Sequence, residues 1–170
     1  SRNELDFQHQ NFVNKEFDAL SDEYPEMDSL DCLIYCPGSI NLKPISTLTL
    51  EDFRNDFEIN VIGAVKAIKK YLPLLKKSPS ASILLFSTVA TKLGMPYHAS
   101  VSVAKSGVDG LVKTLGSELA PKVRINAIAP TITNTDLASK ILRNEKVIEN
   151  MIKRHPLKKI LSSSEVAKMA

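Results

Sequence analysis

Three short runs of nearly unbroken apolar residues constrain this chain more than any other feature: LDCLIYC (30–36), ASILLFS (81–87) and VRINAIA (123–129). Each has the length and composition of a strand. Strands this apolar fit a parallel sheet covered by helices on both faces. The segments between them carry helical periodicity. One runs from about Leu50 through FEINVIGAVKAIKKYLPLL and stops near Pro73; the other runs from about Ala99 to Leu119. A strand–helix–strand–helix–strand series with short connections predicts an α/β fold with a doubly wound parallel sheet, in one domain over residues 1–170. At the front, NELDF (3–7) reads as a further strand, followed by a helix near 11–20; at the back, Ser162 and Glu165 have capping-box spacing and start a helix.

Composition narrows the function classes. The chain of 170 residues is 44% hydrophobic, enough for one ordinary core. Its 22 basic and 19 acidic residues nearly balance, and the lysine pairs at 69–70, 76–77 and 158–159 fall on polar faces or helix ends, so no nucleic-acid partner is expected. No run is long and apolar enough to span a bilayer, and no leader opens the sequence, so no membrane partner is expected either. Cys32 and Cys36 would share a strand face but lie too far apart for a bridge; His9, His98 and His155 are scattered, so metal-ligand spacing is absent. A reducing, cytoplasmic setting is expected. The six glycines (38, 63, 94, 107, 110, 116) form no Gly-x-Gly-x-x-Gly turn.

Read in register, residues 3–170 resemble the middle of a short-chain dehydrogenase/reductase, a Rossmann-fold NAD(P)-dependent oxidoreductase. LDCLIYCPGS resembles the strand ending in Asn-Ala-Gly beneath the cofactor, with Cys36 and Pro37 replacing Asn and Ala and Gly38 kept. NVIG (60–63) is similar to the family's Asn-x-x-Gly, SILLFST to the strand that delivers a catalytic serine, and APTITNT (129–135) to the Pro-Gly-x-x-x-Thr loop over the nicotinamide. HPLKKILSSSEVAKMA resembles the stretch before the family's last strand. The resemblance implies a Rossmann-like sheet lacking the family's first two strands and its last strand. It implies NAD or NADP as cofactor, with the Gly-rich pyrophosphate loop outside this sequence. Asp6, Gly38, Lys105, Pro130, Ile132 and Thr135 are the cofactor-binding positions it suggests, and Asn60, Thr88 and Lys105 the catalytic ones.

Family catalysis places a tyrosine and a lysine four apart on one helix, so that both reach one pocket. The lysine lowers the phenol's pKa, and the phenol exchanges a proton with the substrate oxygen. Here Lys105 matches the lysine, but Val101 holds the tyrosine position and has no proton to give. Thr88, thirteen residues before Val101, occupies the serine position and keeps a hydroxyl; its other reading, with Ser87, is a cap at a strand end. Asn60 fits an asparagine that bends its helix and holds a water. Thr131 stands where the family has glycine, and Thr135 reads equally as a helix cap. Tyr97 and His98, near the helix entrance, are weaker stand-ins for the tyrosine.

The resemblance, with Val101 in the tyrosine position, implies an oxidoreductase acting on a small carbonyl or alcohol substrate with altered or reduced activity. The alternative is a catalytically silent relative acting as a binding or oligomerisation module. Self-association as a homodimer or homotetramer is expected through the helices near 50–72 and 99–119. There Val61, Ala64, Val65, Ile68, Val108, Leu111, Val112 and Leu115 exceed what one sheet face covers.

Overall fold

The three apolar runs form three adjacent parallel strands in a computed structural model that describes residues 15–170. They are β1 (Cys32–Tyr35), β2 (Ala81–Phe86) and β3 (Val123–Ile128), in the order β1-β2-β3. Cys32 pairs with Ser82, and Ala81 with Val123. The strand expected at 3–7, with Asp6, lies outside the described residues. Among those described, β1 is therefore an edge, and its Ile34 is 48% exposed.

The first crossover is one long helical stretch: α1 (Leu50–Phe57), a π-helical turn (Glu58–Ile62) and α2 (Gly63–Leu75). Thr49 and Asp52 close a capping box at its start. Pro73 does not stop it at once: having no N–H, it forfeits a bond to the preceding turn, and the helix ends two residues later. After β2 come a single turn, α3 (Ala90–Leu93), and then α4 (Ala99–Leu119). Ala120 is extended, as the residue before Pro121 is pushed to be.

Alternate residues of the strands face these helices. Tyr35, Ala81, Ile83, Leu85, Val123 and Ile125 join Val61, Ala64, Ile68, Leu75 and Val108 in one core. On the other sheet face, among the described residues, Leu84 of the central strand is buried while Cys32, Ile34, Arg124 and Asn126 of the outer strands are exposed. Much of the apolar surplus expected on the two helices is also taken up. Val61, Ala64, Ile68 and Val108 are core residues, and Leu111, Val112 and Leu115 pack half-buried against them. The helices instead expose Leu50 (75%), Phe57 and Val103 (56%).

The expected helix near 11–20 is not present in its described part, where residues 15–18 are irregular and a turn follows. Asp18 accepts from Leu20 N, and Asp22 from Asp18 N, so carboxylates take the amides a helix would need. This segment lies across α2. Tyr24 stacks edge-on against Tyr71, and Tyr71 donates to Pro25 O at 2.8 Å. Beyond β3 the chain adds what its sequence did not suggest: a two-stranded parallel ladder of β4 (Thr133–Asn134) and β5 (Leu161–Ser162). Between them runs α5 (Glu145–Arg154), capped by Asn144 and burying no residue. The short α6 (Ser163–Ala167) starts with the Ser162–Glu165 capping box. No helix among the described residues is long and apolar enough to cross a membrane.

Candidate active site

The carboxyl ends of β1 and β2, the π turn and α4 bring Gly38, Asn60 and Lys105 together. The π turn accounts for the position of Asn60. Widening the helix upsets the regular ladder, and side chains serve two of its carbonyls. Asn60 Nδ2 donates to Asp56 O at 2.7 Å, and the Tyr35 hydroxyl donates to Ile59 O at 2.8 Å. The Asn-x-x-Gly spacing acquires a physical reason here. A Cβ at Gly63 would stand 2.1 Å from the Tyr35 hydroxyl, so glycine at 63 lets the phenol reach the turn. Burial pushes the Tyr35 phenol pKa well above its usual value, keeping it a neutral donor.

Asn60 is 1% exposed. Its Nδ2 also donates to Ser39 Oγ at 2.9 Å, and Ser39 in turn donates to Asp56 Oδ1 at 2.5 Å. The amide's donors are thus occupied, while Asn60 Oδ1 is buried without a partner. Gly38 shows where that oxygen points: a methyl there would lie 3.1 Å from Asn60 Oδ1 and 3.5 Å from Lys105 Nζ. Amide oxygen and ammonium therefore flank one small space, which exists because residue 38 has no side chain.

Lys105 donates to Phe86 O, the last carbonyl of β2, at 2.7 Å. Burial pulls its pKa down to about 8, with nearby Cys36 acting in the opposite direction. It still carries a proton at neutral pH. Val101, one turn earlier on the same helix, is 6% exposed and stands outside the main core cluster. Thr88 lies two residues beyond Phe86. Its Oγ1 accepts from Ala90 N at 3.3 Å, which leaves its own hydroxyl proton free to donate. Ser87 beside it is buried, with Oγ unpartnered.

The loop after β3 approaches through backbone, with Val89 N donating to Pro130 O at 3.3 Å. Ile132 and Thr135 are occupied elsewhere. Ile132 O accepts from Leu161 N, and Thr135 Oγ1 accepts from Ala138 N, capping a 3-10 turn at Asp136–Ala138. Thr131 Oγ1 lies 3.0 Å from His155 Nε2. Leu157 N donates to His155 Nδ1, so in the neutral ring Nε2 carries the proton and donates to Thr131. Sequence reasoning missed Ser39, Asp56 and His155. Asp56 had a usable signal, four residues before Asn60 on the same helix face; the His155 contact had none.

The buried orphan oxygen, the side-chain-free space at Gly38 and the adjacent ammonium fit the ribose and nicotinamide side of a dinucleotide. Comparison with known proteins bears on the family. The family model described as Enoyl-(Acyl carrier protein) reductase matches residues 3–170. A tropinone reductase homolog of Datura stramonium is 31% identical over 144 residues, 82% of this chain and 54% of that protein. The peroxisomal 2,4-dienoyl-CoA reductase of Saccharomyces cerevisiae is 32% identical over 123 residues, 72% and 42% of the two chains. Among solved structures, the ligand-free aldohexose dehydrogenase of Thermoplasma acidophilum superposes with TM-score 0.77 at 25% identity, covering 83% of this chain and 59% of that one. ElxO with NADP bound gives 0.74 at 28%, covering 82% and 57%. The chain spans about half the length of the curated relatives it matches. With a parallel sheet, a site at its carboxyl edge and a family match across nearly every residue, the chain belongs to the short-chain dehydrogenase/reductase family of Rossmann-fold, NAD(P)-binding oxidoreductases.

Proposed function

We propose that this chain is the reaction half of an NAD(P)-dependent oxidoreductase of carbonyl or alcohol substrates, running slowly because Val101 holds the family's tyrosine position. The observation that carries the reading is the pairing of Asn60 Oδ1 and Lys105 Nζ around Gly38. Gly38 and Lys105 would hold the dinucleotide, Asp6, Pro130, Ile132 and Thr135 belonging to the same set by resemblance alone. When bound, the nicotinamide supplies or accepts the hydride. Lys105, protonated at neutral pH, binds hydroxyls and biases the local field toward negative charge on a substrate oxygen. Thr88 donates its free hydroxyl proton to that oxygen and orients it. Asn60 accepts from whatever donor occupies the space beside Lys105. Val101 excludes water from the face it occupies and moves no proton.

Lack of one general acid costs about 10²–10⁴-fold in rate. In the full-length protein, Val101→Tyr is expected to raise NAD(P)H-dependent reduction of simple ketones by about that factor. Lys105→Ala in the same background should abolish the gain. Wild-type turnover that survives Lys105→Ala would overturn the assignment.

A second reading, a silent module that binds without turnover, is favoured by one observation: α1 and α4 expose Leu50, Phe57 and Val103, a self-association face. Under this reading the wild type and Val101→Tyr both lack NAD(P)H turnover, and sedimentation shows an assembly that Phe57→Asp or Val103→Asp disperses; turnover gained by Val101→Tyr would rule it out.

A further inference from the structure

Beside Gly38 stand an amine with no anion to pair with and an oxygen with no donor to accept from. Lys105 has no carboxylate partner among the described residues, and its hydrogen bond goes to Phe86 O at 2.7 Å. Asn60 Oδ1 is buried and unpartnered. Around the point that a methyl on Gly38 would occupy, Lys105 Nζ lies at 3.5 Å and Asn60 Oδ1 at 3.1 Å. Outside residues 37–39, no other described heavy atom comes within 4 Å of that point.

The amine is the reactive member of the pair. Lysines in water stay protonated and are poor nucleophiles, whereas a desolvated lysine can attack a carbonyl. Burial brings the Lys105 pKa down to about 8, so about a tenth of it is free amine at neutral pH. A free amine keeps its bond to Phe86 O through one N–H, and its lone pair remains available. Val101, one turn earlier, offers no phenol to engage that lone pair. The Lys105 residue is only partly buried and Gly38 likewise, so a small molecule reaches the pair from solvent.

The oxygen selects what arrives. Asn60 is 1% exposed, and its orphan acceptor gains only from a guest that brings a donor. Condensation of an aldehyde with an amine expels the carbonyl oxygen as water. The donor must therefore be a second hydroxyl, on the carbon next to the aldehyde, where it stays close to the nitrogen.

We propose that Lys105 forms a Schiff base with a small α-hydroxy aldehyde whose hydroxyl donates to Asn60 Oδ1. The amine nitrogen bonds to the carbonyl carbon as the C=O π bond opens, and a proton passes from nitrogen to oxygen to give a carbinolamine. The C–O bond then breaks, water leaves and C=N forms. From ammonium to protonated iminium the net change is aldehyde in and water out, with no proton gained or lost. The iminium N–H retains the bond to Phe86 O. No hydride moves, so this chemistry stands apart from the oxidoreductase reading, although both use the space beside Gly38.

The test is reductive trapping. The full-length protein at neutral pH is mixed with limiting glycolaldehyde and cyanoborohydride, which reduces the iminium and leaves a hydroxyethyl group on the lysine, and peptides are then mapped by mass. Lys105 should be labelled about tenfold or more faster than the exposed Lys77 and Lys122. With propanal, which carries a methyl in place of the hydroxyl, the ratio of Lys105 to Lys77 labelling should fall several-fold, the worth of one hydrogen bond. Gly38→Ala places a methyl against both atoms and should slow Lys105 several-fold while leaving Lys77 unchanged. Labelling of Lys105 no faster than Lys77, equal ratios for the two aldehydes, or wild-type labelling in Gly38→Ala would overturn the proposal; the first two comparisons need no variant to fold. Selective labelling that saturating NADP+ does not slow leaves the Schiff base standing and counts against the dinucleotide reading. Turnover gained by Val101→Tyr while wild-type Lys105 labels no faster than Lys77 does the reverse.

Discussion

The helix side of the candidate site and the loop side treat their polar atoms in opposite ways. On the helix side Asn60 is almost wholly buried and keeps an amide oxygen with no partner, beside an ammonium that burial has made less basic. On the loop side Thr131 is engaged by His155, Thr135 caps a turn, and α5 buries nothing. One region is tightly packed and chemically unfinished; the other is satisfied within itself and lightly attached. The difference teaches where a bound molecule would be stabilised and where it would be accommodated. An orphan buried acceptor gains from any donor that arrives, whereas a loop whose hydroxyls are already bonded can shift at little cost.

The largest effect is expected where the helix side is most crowded. Gly63→Ala should destabilise the protein by about 1–3 kcal/mol through overpacking against Tyr35, with improved helix propensity offsetting no more than about 1 kcal/mol. In a Tyr35→Phe background the same substitution should cost less, because the hydroxyl 2.1 Å from the new methyl is gone. Urea midpoints for the four proteins of the cycle measure this. Equal costs in both backgrounds would mean the phenol does not dictate the glycine.

A smaller effect should follow pH. The unfolded lysine titrates near its ordinary value of 10.5 and the folded one at about 8, so between those values the unfolded chain holds more protons. Stability should rise with pH across that window and be flat for this group below it. Lys105→Met should remove the rise and stabilise the fold below pH 8, by at most about 3 kcal/mol. A wild type and a variant with parallel pH profiles would show that the ammonium is not desolvated.

The smallest change is expected on the loop side. Thr131→Ala removes one hydrogen bond, worth about 0.5–1.5 kcal/mol, and should act locally. Hydrogen exchange of the Leu161 amide should speed up while that of Ile83 in β2 stays unchanged. Equal acceleration at both would show that the loop is bound into the global fold after all.

How much of this could be read from sequence differed along the same line. The runs around Ile34, Ile83 and Ile125 announced their strands by apolar composition and length, although β1 is largely exposed among the described residues, and α4 was legible from end to end. On the second sheet face the runs were less uniform than their composition suggests: among the described residues Leu84 is buried there, whereas Arg124 and Asn126 are exposed between buried neighbours. The β4–β5 ladder was invisible, two residues a side being too short for any period. Lys105, Asn60 and Gly38 stood out only through the resemblance; their meeting depends on crossovers that no local pattern encodes. The Tyr35–Gly63 fit and the Thr131–His155 bond are pairings of distant, ordinary residues, and only tertiary structure makes them specific.

The π turn at Glu58–Ile62 has a consequence for how this protein tolerates insertion and deletion. One extra residue in a helix shifts everything after it by about 100° around the axis. The turn thus works as a phase shifter: upstream, Leu50 and Phe57 look outward, while downstream Ala64, Ile68 and Leu75 look at the sheet. Deleting a single residue there would leave a tidier helix and a worse protein. The freed carbonyls that anchor Asn60 and Tyr35 would close on each other, and the two halves of the helix could no longer both face their proper neighbours.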